Sequence, residues 1–495
     1  MSSEFLQLSF KYIMVLLYVG LTFALAYWGM KKTKDLKGFS IGNKDMSPVL
    51  IGLTMAASIA STATFVINPG FVYVHGLSAY LHYGVAAPLG TLVAFLCLTK
   101  GFRQIGEVKG ALTIPDWIFH RYGSRGFALF FAGINLLSIT FVVLILVGCS
   151  LLMTALFPIS QQVGLIIVLL FVFSYILMGG TYAHAYTNSF QAVMMLGIAL
   201  FLFFHGVGKY SPEGIGESIN YLSSISPSFM SMFNPESNLY YDFFSVFASG
   251  FIITFALMLQ PHILSKILYI KNDKDVSKFL WTTIAVGFCF GLILFTGFFA
   301  QLAGLDLANQ DAVVSVYVAT EFSTGTFGPY ILIFITLTML AAGMSSLDGI
   351  LVSLSAMVVN DIYLPYKGND LQAHRRALML SRFVLVGLGL LAFALAWNPP
   401  ALVGLFAQKG VYGLAAALLV PILIGVLYKG DIPLYIPVTG ALVGVFGHFF
   451  LHLGFGVDNP AVSASVAILL SLGISGVMLQ LVRIKQRLII PTSEH

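Results

Sequence analysis

Residues 53–64 read LTMAASIASTAT and lie at the centre of an apolar segment, 47–74, that is long enough to cross a membrane. Small and hydroxyl side chains dominate this centre, where a helix that faces lipid carries larger aliphatic residues. The segment then continues into Asn68-Pro69-Gly70, which interrupts a regular helix. The pattern predicts a broken helix that faces other parts of the protein, although small residues also serve tight helix packing.

The whole chain has the composition of a polytopic membrane protein. Its 495 residues are 58% hydrophobic and only 9% charged, whereas soluble domains carry about 25% charged residues. Strand-like alternation of apolar and polar residues does not compete with the long apolar runs. We therefore predict an all-α membrane protein that forms one transmembrane transport domain, 1–495. The thirteen apolar segments are 8–30, 47–74, 79–99, 126–157, 162–179, 188–206, 242–262, 279–302, 327–358, 377–397, 401–428, 432–453 and 461–482.

The basic residues predict the orientation of these segments. If the 31–46 connection is cytoplasmic, all of the 25 Lys and Arg except Lys11, Lys209 and Lys409 fall on that side. The positive-inside rule then places the N-terminus outside and the C-terminal tail, from Arg483 onward, in the cytoplasm. We expect a multi-pass protein of the plasma (inner) membrane. The net charge of +5 reports this topology and does not indicate a nucleic-acid partner.

A second break is predicted at 247–250, where Phe-Ala-Ser-Gly lies inside segment 242–262. If segment 8–30 is a peripheral first helix, the next ten segments form a first repeat, 47–206, and a second repeat, 242–428, each opened by a broken helix. Two additional helices, 432–482, follow. Interrupted helices at matching positions of two halves point to a transport site near the membrane midplane.

The sequence does not predict an enzyme. Cys97, Cys149 and Cys289 lie inside apolar segments and are interpreted as small hydrophobic residues rather than as disulfide partners or metal ligands. Zinc-hydrolase, phosphate-loop and nucleophile-elbow motifs are absent from the chain. No organic cofactor is expected.

Asp348 is a charged residue inside an apolar segment, in the run AAGMSSLDG at 341–349. A charge within a membrane is costly, so it normally faces a partner or a water-filled path. Hydroxyl and carboxylate oxygens that lie one turn apart suit a small hard cation. The alternative is a buried acid that stays protonated or hydrogen-bonds to a neighbour.

Four stretches resemble the sodium:solute symporter family, and together with the intervening segments they extend the likeness over nearly the whole chain. These stretches are FSIGNK at 39–44, GGTYAHAYTNSFQ at 179–191, QPHILSK at 260–266 and the run from 341 to 361. Lys44 and Lys266 stand where Arg is usual in the family. The resemblance implies the LeuT-type five-plus-five inverted repeat, with one helix before the core and two after it.

The resemblance also implies a sodium site between the first broken helix and the segment that holds Ser345. By position, its ligands are the carbonyls of Ala57, Ala60 and Ala342 and the hydroxyls of Ser345 and Ser346. Oxygen ligands suit a hard cation, and a broken helix frees carbonyl groups to supply them. From the sequence alone, the two serine hydroxyls could equally bond back to carbonyls of their own helix.

The chain departs from the family at two positions. Many members have Asp where this chain has Asn188, and many have Ser where this chain has Asp348. Compared with those members, this chain therefore has its acidic residue at position 348 instead of position 188. We hypothesise that Asp348 serves a second cation, either sodium or a proton, together with Asn188 and Thr187.

The predicted solute-binding residues lie on the central segments. Lys409 has three interpretations: it binds an anionic solute, extends toward the outer surface, or pairs with a buried acid such as Asp348. The candidates are Ser61, Thr62, Thr64, His82, Ser249, Gln408, Lys409 and Tyr412.

These observations predict a monomeric secondary active transporter that couples sodium influx to uptake of a small polar solute by alternating access. An organic acid, in particular a monocarboxylate, is the favoured solute because Asp348 resembles the pattern of the acetate and pantothenate branches. Sugars, amino acids and sialic acids remain alternatives, as does a proton-coupled or sodium-independent carrier of the same fold. A transporter-like sensor is a further alternative.

Overall fold

The computed structural model describes residues 3–367, 370–400 and 402–489, and within these ranges it consists of helices and connections without a β-strand. Ten helices are long and apolar enough to cross a membrane, or up to twelve when each of two bent helix pairs is counted as one span. The prediction of an all-α membrane protein is confirmed to that extent. The end of the predicted tail, 490–495, and the first residue of the predicted segment 401–428 lie outside the described residues. The helices are α1 Ser3–Lys32, α2 Pro48–Ile59, α3 Ala63–His75, α4 Leu77–Glu107, α5 Ile114–Tyr122, α6 Arg125–Leu156, α7 Gln161–Tyr210, α8 Ile215–Ile225, α9 Phe244–Leu257, α10 Pro261–Tyr269, α11 Asp273–Leu302, α12 Val313–Phe322, α13 Gly328–Lys367, α14 Leu371–Ala396, α15 Val403–Leu427, α16 Tyr435–Gly454 and α17 Pro460–Ile489.

The first break lies at residues 60–62, inside the predicted run of small and hydroxyl residues and before Asn68-Pro69-Gly70, which does not interrupt the helix. Helix α2 ends at Ile59, and α3 resumes at Ala63 with a bend of 52° between them. Ala60 leaves the helical conformation, with φ −87° and ψ 82°. The last carbonyl groups of a helix lack partners within that helix, so this bend frees backbone oxygens inside the protein.

The second break lies about ten residues further along the chain than predicted. Residues 244–248 form a turn of π-helix, but the chain stays helical to Leu257, and a bend of 62° separates α9 from α10. Pro261 opens α10, and Gln260 before it is extended, with φ −59° and ψ 145°. The ring of a proline disfavours helical backbone in the preceding residue. Pro261 therefore determines this break, rather than the small residues at 247–250.

Helix α7 contains two of the predicted segments, 162–179 and 188–206. Its 50 residues would be about 75 Å long at 1.5 Å per residue, more than twice the hydrocarbon thickness of a bilayer, about 30 Å. Gly180 interrupts the helix with φ 51° and ψ −131°. A side chain at this position would overlap the ring of Phe39, which packs directly against the glycine. The glycine thus provides both the backbone conformation and the space that the kink requires.

Helices α6, α13 and α15 form the buried centre of the protein, and α1 and α14 lie at its periphery. Helix α1 packs along α7, while Leu16, Leu17 and Trp28 on its other side are exposed. This placement agrees with the expectation of a peripheral first helix. Three shorter helices that the sequence analysis did not predict, α5, α8 and α12, lie in the connections between spans.

Candidate functional site

The bend after α2 meets two buried serines of α13. Ser345 Oγ donates a hydrogen bond to Ala57 O at 3.0 Å and also lies 2.8 Å from Ala342 O. Ser346 Oγ donates to Ser58 O at 3.1 Å. The carbonyls of residues 57 and 58 would have accepted from the next helical turn if α2 had continued, so the serine hydroxyls take the place of that turn.

The structure therefore brings together most of the oxygen atoms expected to bind sodium. Ala57, Ala342 and Ser345 meet at one point, and all three residues are fully buried. Ser346 contacts the carbonyl of Ser58 instead, and Ala60 lies at the bend itself. Hydroxyl groups can rotate their hydrogens away and present lone pairs. The site thus offers neutral oxygen ligands of the kind that a hard cation prefers.

Asn188 joins this site to α7. Its Nδ2 group donates to Ser345 O at 2.7 Å and to Ser58 Oγ at 3.2 Å. Its Oδ1 atom is buried without a hydrogen-bond partner. Asn188 therefore links three helices at the bend and holds one free acceptor oxygen there.

Asp348 belongs to a different network. Its Oδ1 atom accepts from His184 Nδ1 at 2.8 Å, and its Oδ2 atom accepts from Tyr175 OH at 3.1 Å. Thr187 bonds back to carbonyls of its own helix, at 2.9 Å to Ala183 O and 3.3 Å to His184 O. The three residues expected to share a second cation thus have separate hydrogen-bond partners.

A buried lysine lies beside this second network. Lys266 is 1% exposed on α10, and its Nζ group donates to the carbonyl of His262 one turn earlier. The predicted segment 242–262 ends before Lys266, whereas Pro261 restarts a helix that extends to Tyr269 and includes this lysine. A proline followed by apolar residues was the signal that could have placed it inside the protein.

A cavity of about 640 Å³ lies beside the bend of α2 and α3. Its wall includes α2, α3, α4, α9, α10, α11 and α15, and it reaches the surface at Leu89 and Phe288, whose side chains are exposed. Five of the predicted solute-binding residues line it, and three do not. The lining residues are Ser61, Thr64, His82, Gln408 and Tyr412, and the others are Thr62, Ser249 and Lys409.

Two of the lining residues belong to hydrogen-bonded networks. Gln408 Nε2 donates to Tyr83 OH at 3.1 Å, and Tyr83 OH accepts from Tyr240 OH at 3.0 Å. His82 Nδ1 donates to the carbonyls of Ser245 and Val246, both at 3.1 Å. These bonds fix the wall of the cavity against the first turn of α9 and the connection before it.

The three residues away from the cavity have structural contacts. Thr62 Oγ1 lies 3.9 Å from Cys149 Sγ, and Ser249 Oγ donates to Ser245 O at 2.7 Å. Lys409 is half-buried, and its carbonyl oxygen accepts from His448 Nε2 at 3.0 Å. In the described part of the chain its ammonium group has no ion pair, so it does not pair with Asp348.

The sequence analysis missed two polar residues at the cavity, Gln260 and His262. Both line it and are almost fully buried. Among the residues that the structure describes, Gln260 Oε1 and both ring nitrogens of His262 have no hydrogen-bond partner. The two residues were visible in the sequence as part of the QPHILSK stretch, but the position of the bend was needed to place them on the wall.

Comparisons with known proteins agree with this architecture. The model of the sodium:solute symporter family matches residues 39–446. The sodium/pantothenate symporter of Haemophilus influenzae is 25% identical over 452 residues, which cover 90% of this chain and 91% of that protein. The Escherichia coli sodium/pantothenate symporter is 26% identical over 468 residues, with coverage of 91% and 93%. The sodium/proline symporter 2 of Staphylococcus saprophyticus is 26% identical over 448 residues, with coverage of 88% and 83%.

Solved structures show the same fold. A Na+-coupled sialic acid symporter in a substrate-bound, outward-open state superposes with a TM-score of 0.74 at 17% identity, covering 93% of this chain and 96% of that one. The nucleobase-cation-symport-1 family transporter Mhp1 superposes with a TM-score of 0.55 at 13% identity, covering 88% and 92%. At these identities the likeness concerns the fold alone. Since the family model spans most of the chain, this protein belongs to the sodium:solute symporter family, whose members are multi-pass membrane transporters and not enzymes.

Proposed function

We propose that this protein couples sodium influx to the uptake of a small polar solute by alternating access. The observation that carries the proposal is the meeting of freed carbonyls at the end of α2 with the hydroxyls of Ser345 and Ser346, next to a cavity of about 640 Å³. Sodium bound between α2 and α13 stabilises the outward-open form, in which the solute enters the cavity. The cavity then closes on the outer side and opens on the inner side, which releases sodium and the solute.

The sodium ligands in this proposal are the carbonyls of Ala57, Ala60 and Ala342 and the hydroxyls of Ser345 and Ser346. All are uncharged, so binding is weak enough for release into the cytoplasm. Sodium is the coupling ion of the family, and no organic cofactor takes part. Five oxygens from two helices make the site sensitive to the bend between α2 and α3.

We assign a second coupling role to Asp348, together with Asn188 and Thr187. The support is that Asp348 is completely buried and that its carboxylate lies only two residues beyond Ser346 in the sequence. This role serves either a second sodium ion or a proton. A carrier that uses protons in place of sodium is the alternative that this carboxylate favours.

The favoured solute is an organic acid, in particular a monocarboxylate. Two of the relatives are symporters for pantothenate, which carries a carboxylate. Another relative is a sodium/proline symporter, and one structural neighbour is a sialic acid symporter. Amino acids and sialic acids, as well as sugars, are therefore the alternatives. The solute contacts that we propose are Ser61, Thr64, His82, Gln408 and Tyr412 on the cavity wall.

We further propose thirteen crossings arranged as a LeuT-type five-plus-five inverted repeat, with one helix before the core and two after it. The support is that the bent pairs α2–α3 and α9–α10 would open the two repeats, and that the kink at Gly180 divides α7 into two crossings. The distribution of Lys and Arg favours an outer N-terminus and a cytoplasmic C-terminus in the plasma (inner) membrane. Each monomer contains a complete site.

Uptake by purified protein in proteoliposomes tests this function. An inward sodium gradient should drive accumulation of a labelled organic acid, and an equal potassium gradient should not. Accumulation that ignores sodium but follows a proton gradient would support the proton-coupled alternative. Absence of sodium-driven uptake for organic acids, sugars and amino acids alike would indicate a sensor rather than a carrier.

A further inference from the structure

Gln260 and His262 lie at the bend between α9 and α10, and three of their polar atoms lack a partner. Gln260 is 4% exposed and His262 is 2% exposed. The unpartnered atoms are Gln260 Oε1 and both nitrogens of the His262 ring. Buried polar groups without a hydrogen bond are uncommon in folded proteins and carry a free-energy penalty. Since both residues line the cavity, a bound solute is the partner that these atoms lack.

The chemistry of these atoms defines the polar end of that solute. The Nε2 group of Gln260 already donates to Leu257 O at 3.2 Å, so its free oxygen needs a donor. A neutral imidazole has one N–H donor and one acceptor nitrogen, so His262 can donate to an acceptor on the solute. The solute therefore carries a hydrogen-bond donor beside an acceptor group.

The charges around His262 favour an anionic acceptor. The residues that line the cavity include no Asp, Glu, Lys or Arg. Lys266 lies one turn beyond His262, and its Nζ group donates to the His262 carbonyl. The buried carboxylate of Asp348 is already engaged by His184 and Tyr175. A solute carboxylate at His262 would thus meet an N–H donor without facing an acid on the cavity wall.

The rest of the wall is largely apolar near this end. Leu257, Met258 and Ile263 flank the two polar residues, and the cavity opens to the surface at Leu89 and Phe288. The volume of about 640 Å³ lies within the range of pockets for ligands of drug-like size, roughly 300–1,000 Å³. A two-carbon acid would leave most of this space unused.

We propose that the transported solute is an amphipathic carboxylate with a neighbouring hydroxyl or amide donor and a hydrocarbon body. Its donor bonds to Gln260 Oε1, its carboxylate accepts from His262, and its hydrocarbon part lies along the apolar wall. The unpartnered atoms are closed off from water in this conformation, so the bend must open slightly for the solute to reach them. This assignment rests on the proposed transport function and defines the solute class.

Equilibrium binding to the full chain in lipid nanodiscs tests the assignment, with empty nanodiscs as the blank. The probes are 2-hydroxyhexanoate, hexanoate, hexanamide and glycolate, each titrated calorimetrically in sodium chloride and in potassium chloride. In sodium, 2-hydroxyhexanoate should bind at least about ten-fold more tightly than glycolate, because of its buried methylene groups. It should also bind about five-fold more tightly than hexanoate, which lacks the hydroxyl donor. Hexanoate in turn should bind about ten-fold more tightly than hexanamide.

Two variants should lose different preferences. Gln260→Leu should remove the advantage of 2-hydroxyhexanoate over hexanoate and leave the affinity for hexanoate intact. His262→Phe should remove the advantage of hexanoate over hexanamide, because a phenyl ring offers no donor to the carboxylate or to the amide carbonyl. The affinity for hexanoate that Gln260→Leu keeps, and the preference for 2-hydroxyhexanoate over hexanoate that His262→Phe keeps, show that each variant remains folded. His75→Gln is the matched control because this buried histidine bonds to Ser237, away from the cavity, and it should keep every preference.

Several outcomes would overturn the assignment. Equal binding of glycolate and 2-hydroxyhexanoate would reject the amphipathic body, and unchanged preferences in both variants would reject the two contacts. An equal loss of affinity for all four probes in both variants would reject the separate roles of Gln260 and His262. If none of the four probes binds while another solute shows sodium-driven uptake, only this inference fails. If no solute shows sodium-driven uptake, the proposed function fails with it.

Discussion

Replacing Ser345 by alanine tests whether the hydroxyl that meets the freed carbonyl of Ala57 is a sodium ligand. Ser345 Oγ lies 3.0 Å from Ala57 O and 2.8 Å from Ala342 O, so Ser345→Ala removes one of the proposed oxygens. A hydrogen bond or similar contact to a charged group contributes about 1.5–3 kcal/mol. At about 1.4 kcal/mol per factor of ten, the sodium concentration for half-maximal uptake should rise roughly 10- to 150-fold.

The same hydroxyl also satisfies a buried carbonyl in the absence of sodium. Its removal leaves Ala57 O without that donor, and the free energy of unfolding should fall by about 1–3 kcal/mol. Sodium-dependent uptake in proteoliposomes and thermal unfolding in detergent measure the two effects separately. The sodium effect should persist at temperatures well below the lowered unfolding transition.

Ser355→Ala is the matched control for this experiment. Ser355 is also fully buried in α13, but its hydroxyl bonds to Val352 O of the same helix at 2.9 Å. The control should keep the sodium dependence of the wild-type protein. A folded Ser345→Ala protein that also keeps the wild-type sodium dependence would refute the assignment of Ser345 as a ligand.

Four further predictions follow from other parts of the structure. Asp348→Asn should alter the sodium dependence of uptake and lower the free energy of unfolding by about 1–3 kcal/mol, because an amide cannot accept from both His184 and Tyr175 as the carboxylate does; unchanged transport at every sodium concentration and pH would contradict the coupling role. Lys409→Gln should leave the KM for the solute unchanged, because the side chain does not line the cavity; a sharp rise in KM would instead place an anionic solute at this lysine. Gly180→Ala should destabilise the protein by at least about 1–2 kcal/mol for the positive φ alone, which thermal unfolding can measure. Burial alone would raise the pKa of the Asp45 carboxyl, but hydrogen bonds from Tyr182 and Lys32 lower it overall. The stability that ionised Asp45 contributes should be complete above the unfolded pKa of about 3.9 and be lost at lower pH. Asp45→Asn should therefore flatten this part of the pH profile of thermal unfolding.

Much of the fold could be predicted because membrane helices leave a direct signal in composition. The predicted segment 8–30 lies within α1, and the segment 126–157 matches α6 to within one residue at each end. The break after α2 was predictable from the run of small and hydroxyl residues at 53–64, whereas Asn68-Pro69-Gly70 lies within α3 and does not break it. The break after α9 was misplaced because small residues at 247–250 were weighted above Pro261, whose effect on the preceding residue is the stronger constraint.

The site was less predictable because it depends on contacts between distant helices. The pairing of Ser345 with the carbonyl of Ala57 joins residues 288 positions apart, and only the family resemblance suggested it. Asp348, Asn188 and Thr187 were grouped by proximity along two helices. Their side chains point to different partners, a feature that spacing along the sequence does not determine.

The buried charges explain why a site of neutral oxygens can lie so close to a carboxylate. The hydrogen bonds from His184 and Tyr175 use both oxygens of Asp348, and both donors belong to α7. Both carboxylate oxygens are therefore occupied by α7, and the serine hydroxyls two and three residues earlier meet only carbonyl groups. Asn188 keeps the bend tied to α13 through hydrogen bonds without adding a charge of its own. Moving the acid from position 188 to position 348 thus separates charge from the proposed sodium ligands, so a change in the hydrogen bonds of Asp348 to His184 and Tyr175 should reach the sodium site through the position of α13 rather than through direct coordination.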